Sequence, residues 1–247
     1  MYPIIFSIGR MNFYSHGLLI GLGVLAGGLL LFYLARKKDL STDFIFDLVV
    51  IATVGGLIGA RVLYFIFYRD QFVAWYEVFY IWYGGLVSFG GLLGGILTGV
   101  FYLKARGENV WKWLDLSIIG LMTGWAIGRV GCLLNGDSVG ILTTSKLAIT
   151  GRFPTQVFES IWSLVVVGFC LIFYKYKPRE LGAGSVFSAG LFLYGIGRFF
   201  IDIWRDEPVL FWLIKPGQLT SLIMISIALI IFGLINYKLL RRRHGGF

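Results

Sequence analysis

The sequence predicts an all-α membrane protein of about seven transmembrane helices, and three observations carry that prediction. First, 57% of the 247 residues are hydrophobic and 14% are charged, an apolar excess that one soluble core cannot bury. Second, apolar stretches of about 20 residues recur along the chain, each long enough to cross a hydrocarbon layer about 30 Å thick. Third, basic residues concentrate in alternate connections between those stretches.

The predicted spans form a single transmembrane domain over residues 1–247. A helix rises about 1.5 Å per residue, so each apolar stretch suffices for one crossing. The first stretch leads to Arg36-Lys37-Lys38 and not to a small-residue cleavage site, so we expect it to be retained as a span. The spans are expected near residues 16–35, 44–67, 81–103, 113–133, 154–174, 184–203 and 217–238.

The distribution of charge predicts the orientation of the chain. The connections after the first, third, fifth and seventh spans carry most of the Lys and Arg residues. Because basic connections stay in the cytoplasm, we expect the C-terminus inside and the N-terminus outside. The net charge of +9 is therefore assigned to topology and to contact with anionic lipid heads, and no nucleic-acid partner is expected.

Glycine is abundant, and many of the 34 glycines fall inside the second, third and fourth spans. Close helix packing through small residues accounts for most of them. The doublets Gly84-Gly85 and Gly90-Gly91 additionally indicate non-helical backbone, which a membrane tolerates only where protein or a polar cavity covers it. We therefore expect an irregular, glycine-rich third span and a central, lipid-accessible cavity.

Several charged side chains fall inside predicted spans, where each costs several kcal/mol unless it faces a polar cavity, and those considered for the site are Arg61, Arg129, Arg198 and Asp202. Arg61 and Arg198 lie near span ends, so a structural ion pair or snorkelling toward the interface remains an alternative for both. Asp202 follows Arg198 by four residues on the same helix face. Arg129 opens a polar, glycine-rich segment at 128–140, and its guanidinium is suited to bidentate binding of a phospholipid phosphate.

Several motifs together carry a family resemblance. The segment GRVGCLLNGDSVG at 128–140 looks like the signature G-R-x-G-N-F-x-N-x-E-x-x-G of the prolipoprotein diacylglyceryl transferases, bacterial membrane enzymes of about seven spans. Further segments match the family in the same order, and together they extend over nearly the whole chain. These segments are residues 15–20, 59–64, 84–92, 154–159, 194–208 and 217–218.

The resemblance implies a reaction and a location. The sn-1,2-diacylglyceryl group of phosphatidylglycerol would move to the lipobox cysteine thiol of a prolipoprotein, with release of glycerol 1-phosphate. The expected location is a bacterial plasma membrane, with the active site toward the outer leaflet. We expect a monomer that uses no cofactor and no metal ion.

The resemblance also implies which side chains form the site. Arg129 and Arg198 would bind the charge that develops on the leaving phosphate, and Asp202 would orient Arg198. The acceptor thiol needs a base or a positive field to become a thiolate. The expected substrate-binding residues are Arg61, Tyr64, Gly85, Gly90, Asn135, Asp137, Gly140, Gln156, Glu159 and Tyr194.

Several positions depart from the family pattern, among them His16, where the family usually carries Tyr. Phe89 stands between the third-span glycines, and Phe153 begins the fifth-span motif, where the family carries His in both places. Cys132 replaces the first Asn of the signature, and we expect it to be a small packing residue, with a covalent role left open. Asp137 and Asp202 replace Glu.

The loss of these histidines leaves the identity of the base open. The chain has two histidines, of which His244 lies in the C-terminal tail and His16 at the outer end of the first span. One hypothesis makes His16 the replacement base, since imidazole titrates near neutrality. The alternative makes it a hydrogen-bonded residue at the membrane interface.

Three functions therefore remain open, and the family reaction is the best single statement. The second is a paralogous transferase that uses phosphatidylglycerol with a non-thiol acceptor, such as a glycolipid or a cell-wall polyol. The third is a non-catalytic membrane protein, either a lipid-binding scaffold or an anion transporter. No convincing internal repeat supports transport.

Overall fold

The chain is seen in a computed structural model that describes residues 2–8, 11–81, 84–178, 181–209 and 214–244. The side chain of His244 lies outside the described part. Within these residues, seven helices are long and apolar enough to cross a membrane, which confirms the predicted fold class. The helices are α1 Ser15–Arg36, α2 Ile45–Phe67, α3 Ser88–Ala105, α4 Val110–Asn135, α5 Thr155–Tyr176, α6 Ser185–Ile201 and α7 Pro216–His244.

The third helix differs most from its predicted span, because it begins at Ser88 instead of residue 81. Gly84 and Gly85 have φ angles of 79° and 75°, in the left-handed region that glycine adopts without steric cost. The doublet Gly90-Gly91 lies inside the helix. The irregular backbone therefore precedes α3 at the first doublet, and the second doublet is regular.

A short antiparallel hairpin precedes α1, and the sequence analysis did not include it. Its strands are β1 Ile4–Ile8 and β2 Met11–Tyr14. The backbone N–H of Tyr2 donates to the carbonyl oxygen of Leu134 at 2.8 Å. This hydrogen bond joins the chain just before the hairpin to the last turn of α4.

The chain forms two compact units, and the first comprises residues 1–34 and 111–247. Half of the α4 span is buried, the largest share among the seven spans in the described residues, so α4 is the central helix of this unit. Its core side chains come from α4, α5 and α6, which positions the polar residues of these helices against one another. They are Ile118, Ile119, Met122, Val166, Cys170, Val186 and Tyr194.

Glycine contacts join α1 to α4 within the first unit. A Cβ atom at Gly23 would lie 2.6 Å from the carbonyl oxygen of Gly124, and one at Gly120 would lie 2.6 Å from that of Gly27. Backbones this close leave no room for a methyl group. The four glycines therefore hold the two helices in direct backbone contact.

A buried carboxylate fixes the beginning of α6. Asp115 of α4 is 1% exposed and accepts hydrogen bonds from the backbone N–H groups of Gly184 at 3.0 Å and Phe187 at 2.8 Å. It also pairs with Lys177 Nζ at 3.1 Å. Helix N-termini leave N–H groups without intrahelical partners, so a side chain of α4 caps α6 and sets the relation between these two helices.

The second unit comprises residues 35–110 and consists of α2, α3 and their connection. A Cβ atom at Gly59 would lie 2.9 Å from Gly94 Cα, and one at Gly90 would lie 2.7 Å from Leu63 Cβ. These glycines allow close helix packing, as small residues do between membrane helices. Gly90 is therefore part of the contact between α2 and α3.

Candidate functional site

A buried carboxylate lies between two arginines in the first unit. Glu159 of α5 is 2% exposed, and it contacts Arg129 of α4 in a salt bridge and Arg198 Nη1 of α6 at 3.1 Å. Three helices thus contribute one charged group each. The two guanidiniums therefore share one carboxylate.

The charged cluster continues along the end of α6. Asp202 is fully buried and lies 3.5 Å from Arg198 Nε and 3.3 Å from Arg205 Nη1. Arg205 also approaches Glu159 at 3.9 Å and pairs with the more exposed Glu207 at 2.9 Å. The buried part therefore holds three guanidiniums and two carboxylates, with one further carboxylate at its rim.

The site prediction did not include Arg205. Its spacing of three residues from Asp202 places both side chains on one side of the chain, and that spacing was the available signal. Arg205 Nη2 also donates to Ser138 Oγ at 2.7 Å. Arg205 therefore links the end of α6 to the loop that follows α4.

A terminal nitrogen of the Arg129 guanidinium donates to a weak acceptor. Among the described residues, the hydrogen bond that its Nη1 atom donates goes to the thiol of Cys132 at 3.8 Å, and sulfur is a poor acceptor. The guanidinium carbon lies 4.8 Å from the centre of the Trp125 ring. A phosphate oxygen would be a stronger acceptor for the same nitrogen. The Nη side of Arg129 is thus suited to an anion.

Tyr194 adds a hydroxyl group to the cluster. Arg198 Nη1 donates to its oxygen at 3.3 Å, one helical turn away on the same face of α6. The Tyr194 side chain is 3% exposed. Tyr194 therefore orients Arg198 from inside the core.

The loop after α4 is fastened by several hydrogen bonds. Asn135 Nδ2 donates to Asp137 Oδ2 at 2.5 Å, and Gln156 Nε2 donates to the Asp137 carbonyl at 2.6 Å. At Gly140, a Cβ atom would lie 2.8 Å from the carbonyl oxygen of Trp204. Only a glycine allows the chain after α6 to pass this close, so the loop is held against both α5 and the end of α6.

His16 faces this loop from the first turn of α1. Its Nδ1 atom lies 3.6 Å from Asp137 Oδ2, with side chains that are 36% and 48% exposed. A Cβ atom at Gly131 of α4 would lie 3.3 Å from His16 Cα. The fold therefore brings His16 next to the polar segment that begins at Arg129.

Arg61 of the second unit has a different environment, made of backbone carbonyls. Its Nε atom donates to Val78 at 2.8 Å, Nη1 donates to Gly84 at 2.6 Å and Gly85 at 3.0 Å, and Nη2 donates to two more carbonyls. Those two belong to Glu77 at 2.8 Å and Tyr80 at 3.0 Å. A guanidinium has five N–H donors, so every one of them is used.

Tyr64 and Gly85 complete this carbonyl cage, which consists of Arg61 and the five carbonyls that accept its hydrogen bonds. The Tyr64 hydroxyl hydrogen-bonds to Gln71 Oε1 at 2.5 Å. A Cβ atom at Gly85 would lie 2.9 Å from Arg61 Nη1. The missing side chain at Gly85 therefore admits the guanidinium.

Comparison with known proteins decides the family. The sequence model of the prolipoprotein diacylglyceryl transferases matches residues 3–234. The chain belongs to this family. Among diacylglyceryl transferases it is similar to phosphatidylglycerol--prolipoprotein diacylglyceryl transferase 1 of Clostridium perfringens, with 31% identity over 100% of this chain and 99% of the relative. The transferase of Gloeobacter violaceus is 32% identical over 98% and 93%, and that of Bacillus velezensis 30% over 93% and 90%.

Bacterial relatives and seven apolar helices mark this diacylglyceryl transferase family member as a multi-pass protein of a bacterial inner membrane. Its predicted site residues divide between the two units. The second unit holds Arg61, Tyr64, Gly85 and Gly90, and the first holds His16, Arg129, Asn135, Asp137, Gly140, Gln156, Glu159, Tyr194, Arg198 and Asp202.

Neither Phe that replaces a family histidine in this transferase offers a group that takes a proton. Phe153 stacks between Phe158, at 5.0 Å between ring centres, and Trp204, at 5.5 Å. Phe89 is 38% exposed in the first turn of α3. Both positions are apolar, so a base must come from another residue.

Proposed function

We propose that this protein transfers the sn-1,2-diacylglyceryl group of phosphatidylglycerol to the lipobox cysteine thiol of a prolipoprotein and releases glycerol 1-phosphate. The observation that carries the proposal is the pair of buried guanidiniums, Arg129 and Arg198, that share the carboxylate of Glu159. Family membership supports the same reaction.

The charge changes of this reaction fit the arginine pair. The acceptor sulfur forms a bond to the sn-3 carbon of the diacylglyceryl group, and the bond from that carbon to the phosphate oxygen breaks. The electron pair leaves on the phosphate, whose charge grows from that of a diester to that of a monoester. Donors already aimed at the growing charge stabilise the transition state more than the substrate.

Burial strengthens this stabilisation. The side chains of Arg129 and Arg198 are 8% and 13% exposed, and charges interact more strongly where water is excluded. Asp202, which Arg198 shares with Arg205, keeps the Arg198 side chain in place. The cluster thus binds anions without having to reorganise during the reaction.

The lipid substrate would enter from the membrane. We assign the site to the outer leaflet and the C-terminus to the cytoplasm, which the alternation of basic connections supports. A lipid-accessible cavity beside Arg129 follows from the size of the diacyl chains. One chain supplies the whole arginine cluster, which favours action as a monomer. Substrate binding by the second-unit residues stays a prediction.

A second candidate function is transfer of the same group to a non-thiol acceptor, such as a glycolipid. The observation that favours it is the pair of apolar residues, Phe89 and Phe153, at the family's histidine positions. The phosphate-binding arginines would serve either acceptor, so only the acceptor distinguishes the two functions.

The deciding experiment uses the purified protein in lipid nanodiscs with phosphatidylglycerol labelled in its terminal glycerol. A lipobox peptide is added, and released glycerol phosphate and the peptide mass are measured. We expect equal amounts of glycerol phosphate and diacylglyceryl peptide, and none of the latter from a control peptide with Ser in place of the cysteine. Release without peptide modification would favour the second function, and no release would contradict both.

A further inference from the structure

Transfer of the diacylglyceryl group to a thiol needs a proton acceptor that the arginine cluster does not provide. An ordinary cysteine has a pKa of about 8.5 and is mostly a thiol at neutral pH. Arginine does not give up its proton in proteins. Among the described residues of the cluster, Glu159 and Asp202 are each engaged with two or more guanidiniums, and Glu207 at the rim is paired with Arg205. The base must therefore lie beside the cluster.

His16 is placed for this role by Asp137. The Nδ1 atom of His16 is buried and lies 3.6 Å from Asp137 Oδ2, while the imidazole side chain as a whole is 36% exposed. A carboxylate that faces Nδ1 favours the tautomer with hydrogen on Nδ1, which leaves the Nε2 lone pair free. Such hydrogen bonds are often long before substrate binds.

The carboxylate is itself held in position. Asn135 Nδ2 donates to the same Oδ2 atom at 2.5 Å, and Gln156 donates to the Asp137 backbone carbonyl. An orienting carboxylate works only if its own direction is fixed. The signature segment therefore supplies Arg129, Asp137 and one of its supports, Asn135, while α5 supplies the other, Gln156.

The main chain brings His16 close to the anion-binding arginine. His16 Cα would contact a Cβ atom at Gly131, and Gly131 is two residues from Arg129, about 3 Å along the helix axis. Glycine contacts at Gly23 and Gly27 hold α1 on α4. The imidazole therefore lies at the same end of α4 as the guanidinium.

We propose that His16 is the general base of this enzyme and that Asp137 is its positioning residue, an inference that rests on the proposed function. Nε2 takes the proton of the acceptor thiol while the sulfur bonds to the sn-3 carbon and the carbon–oxygen bond to phosphate breaks. The electron pair leaves on glycerol phosphate. The proton stays on the imidazole, beside the Asp137 carboxylate, and passes to water after release.

The test compares H16Q with wild type in the nanodisc assay with the lipobox peptide. At pH 7 we expect kcat to fall by about 10²-fold to 10⁴-fold, the range for loss of a general base, with KM for phosphatidylglycerol changed less than about threefold. Near pH 9.5 most of the acceptor is already thiolate, so the deficit should shrink by at least about tenfold. Added imidazole should partly restore H16A.

Two further variants sharpen the test. D137N should lower kcat by about tenfold, because the imidazole keeps its ring but loses its orientation. K146Q, a change at an exposed loop residue of the same unit, should leave activity unchanged.

Several outcomes would overturn the assignment. Activity of H16Q within about threefold of wild type at pH 7 contradicts it, and so does a deficit that is equal at both pH values and is not relieved by imidazole in H16A. The latter pattern indicates a structural role. If wild-type protein releases no glycerol phosphate, the proposed function fails together with this inference. If wild type is active and H16Q is unaffected, only the base assignment fails.

Discussion

The two units each bury an arginine in an apolar helix, but the partners of these arginines differ. Arg61 donates all of its N–H groups to five backbone carbonyls, whereas Arg129 meets a shared carboxylate and a thiol. Carbonyls saturate the donors of Arg61 and leave none for a ligand. Arg129 retains a donor with a weak partner, so the partners of the two arginines, and not their burial, distinguish the one that is suited to bind an anion.

The difference in partners predicts different roles for Arg61 and Arg129. The carbonyl cage gathers five backbone carbonyls, those of Glu77, Val78, Tyr80, Gly84 and Gly85, around one side chain. The arginine cluster joins the end of α4, the beginning of α5 and the end of α6 through shared carboxylates. We therefore expect Arg61 to stabilise the fold and Arg129 to take part in the reaction.

The largest expected effect is on turnover in R129K. Lysine keeps the charge but loses the planar fork that binds two phosphate oxygens, and removal of one transition-state donor typically costs about 10²-fold to 10³-fold. We expect kcat for glycerol phosphate release to fall by about 10³-fold with little change in the unfolding temperature. R152K, at a partly exposed arginine paired with Asp206, is the matched control. Retained turnover in R129K would remove the basis of the comparison.

The reverse pattern is expected for R61K. A lysine cannot reach five carbonyls, so at least two partly buried carbonyls lose a donor, at about 1 kcal/mol each. The unfolding temperature should fall by about 4–8 °C, and limited proteolysis should begin within residues 77–85. Turnover should fall less than about tenfold. R69K, a change at an exposed arginine of the same unit, is the control.

The R61K result also decides how far the contrast holds. A loss of turnover as large as in R129K, without a change in stability or proteolysis, would mean that Arg61 contacts substrate after all. The substrate-binding prediction for that residue would then be correct.

The smallest effect is expected for C132S. The serine hydroxyl is a better acceptor for Arg129 Nη1 than the thiol at 3.8 Å, so it should compete slightly with the substrate phosphate. KM for phosphatidylglycerol should rise about threefold, and kcat should stay within about threefold of wild type. A fall of more than about 10²-fold would instead indicate a covalent role for Cys132.

The sequence predicted the spans well because each crossing requires a long apolar run, which composition reveals directly. Arg129 and Arg198 were recognisable because charged residues inside such runs are conspicuous, whereas Glu159 was named only through the family resemblance. The sequence did not predict the carbonyl cage around Arg61, since backbone acceptors leave no side-chain pattern. The start of α3 was also missed, because φ angles at Gly84 and Gly85 depend on that cage.

Other features depend on contacts between distant parts of the chain. The hairpin of β1 and β2 lies in a short apolar segment that hydropathy does not separate from loops. The approach of His16 to Asp137 requires α1 to lie on α4, and glycine spacing predicts close packing without naming the partner helix. Arg205 belongs to the cluster through Asp202 and Glu159, and its hydrogen bond to Ser138 depends on the loop after α4.

The backbone contacts of Gly23 and Gly27 with α4 also fix the rotational phase of α1. Each added residue turns a helix by about 100°. One alanine inserted between His16 and Gly23 would therefore move the imidazole to another face of α1, while Gly23 and Gly27 kept their contacts with α4. Deleting a residue there would do the same in the opposite sense. The number of residues between His16 and Gly23 therefore determines whether the imidazole faces Asp137.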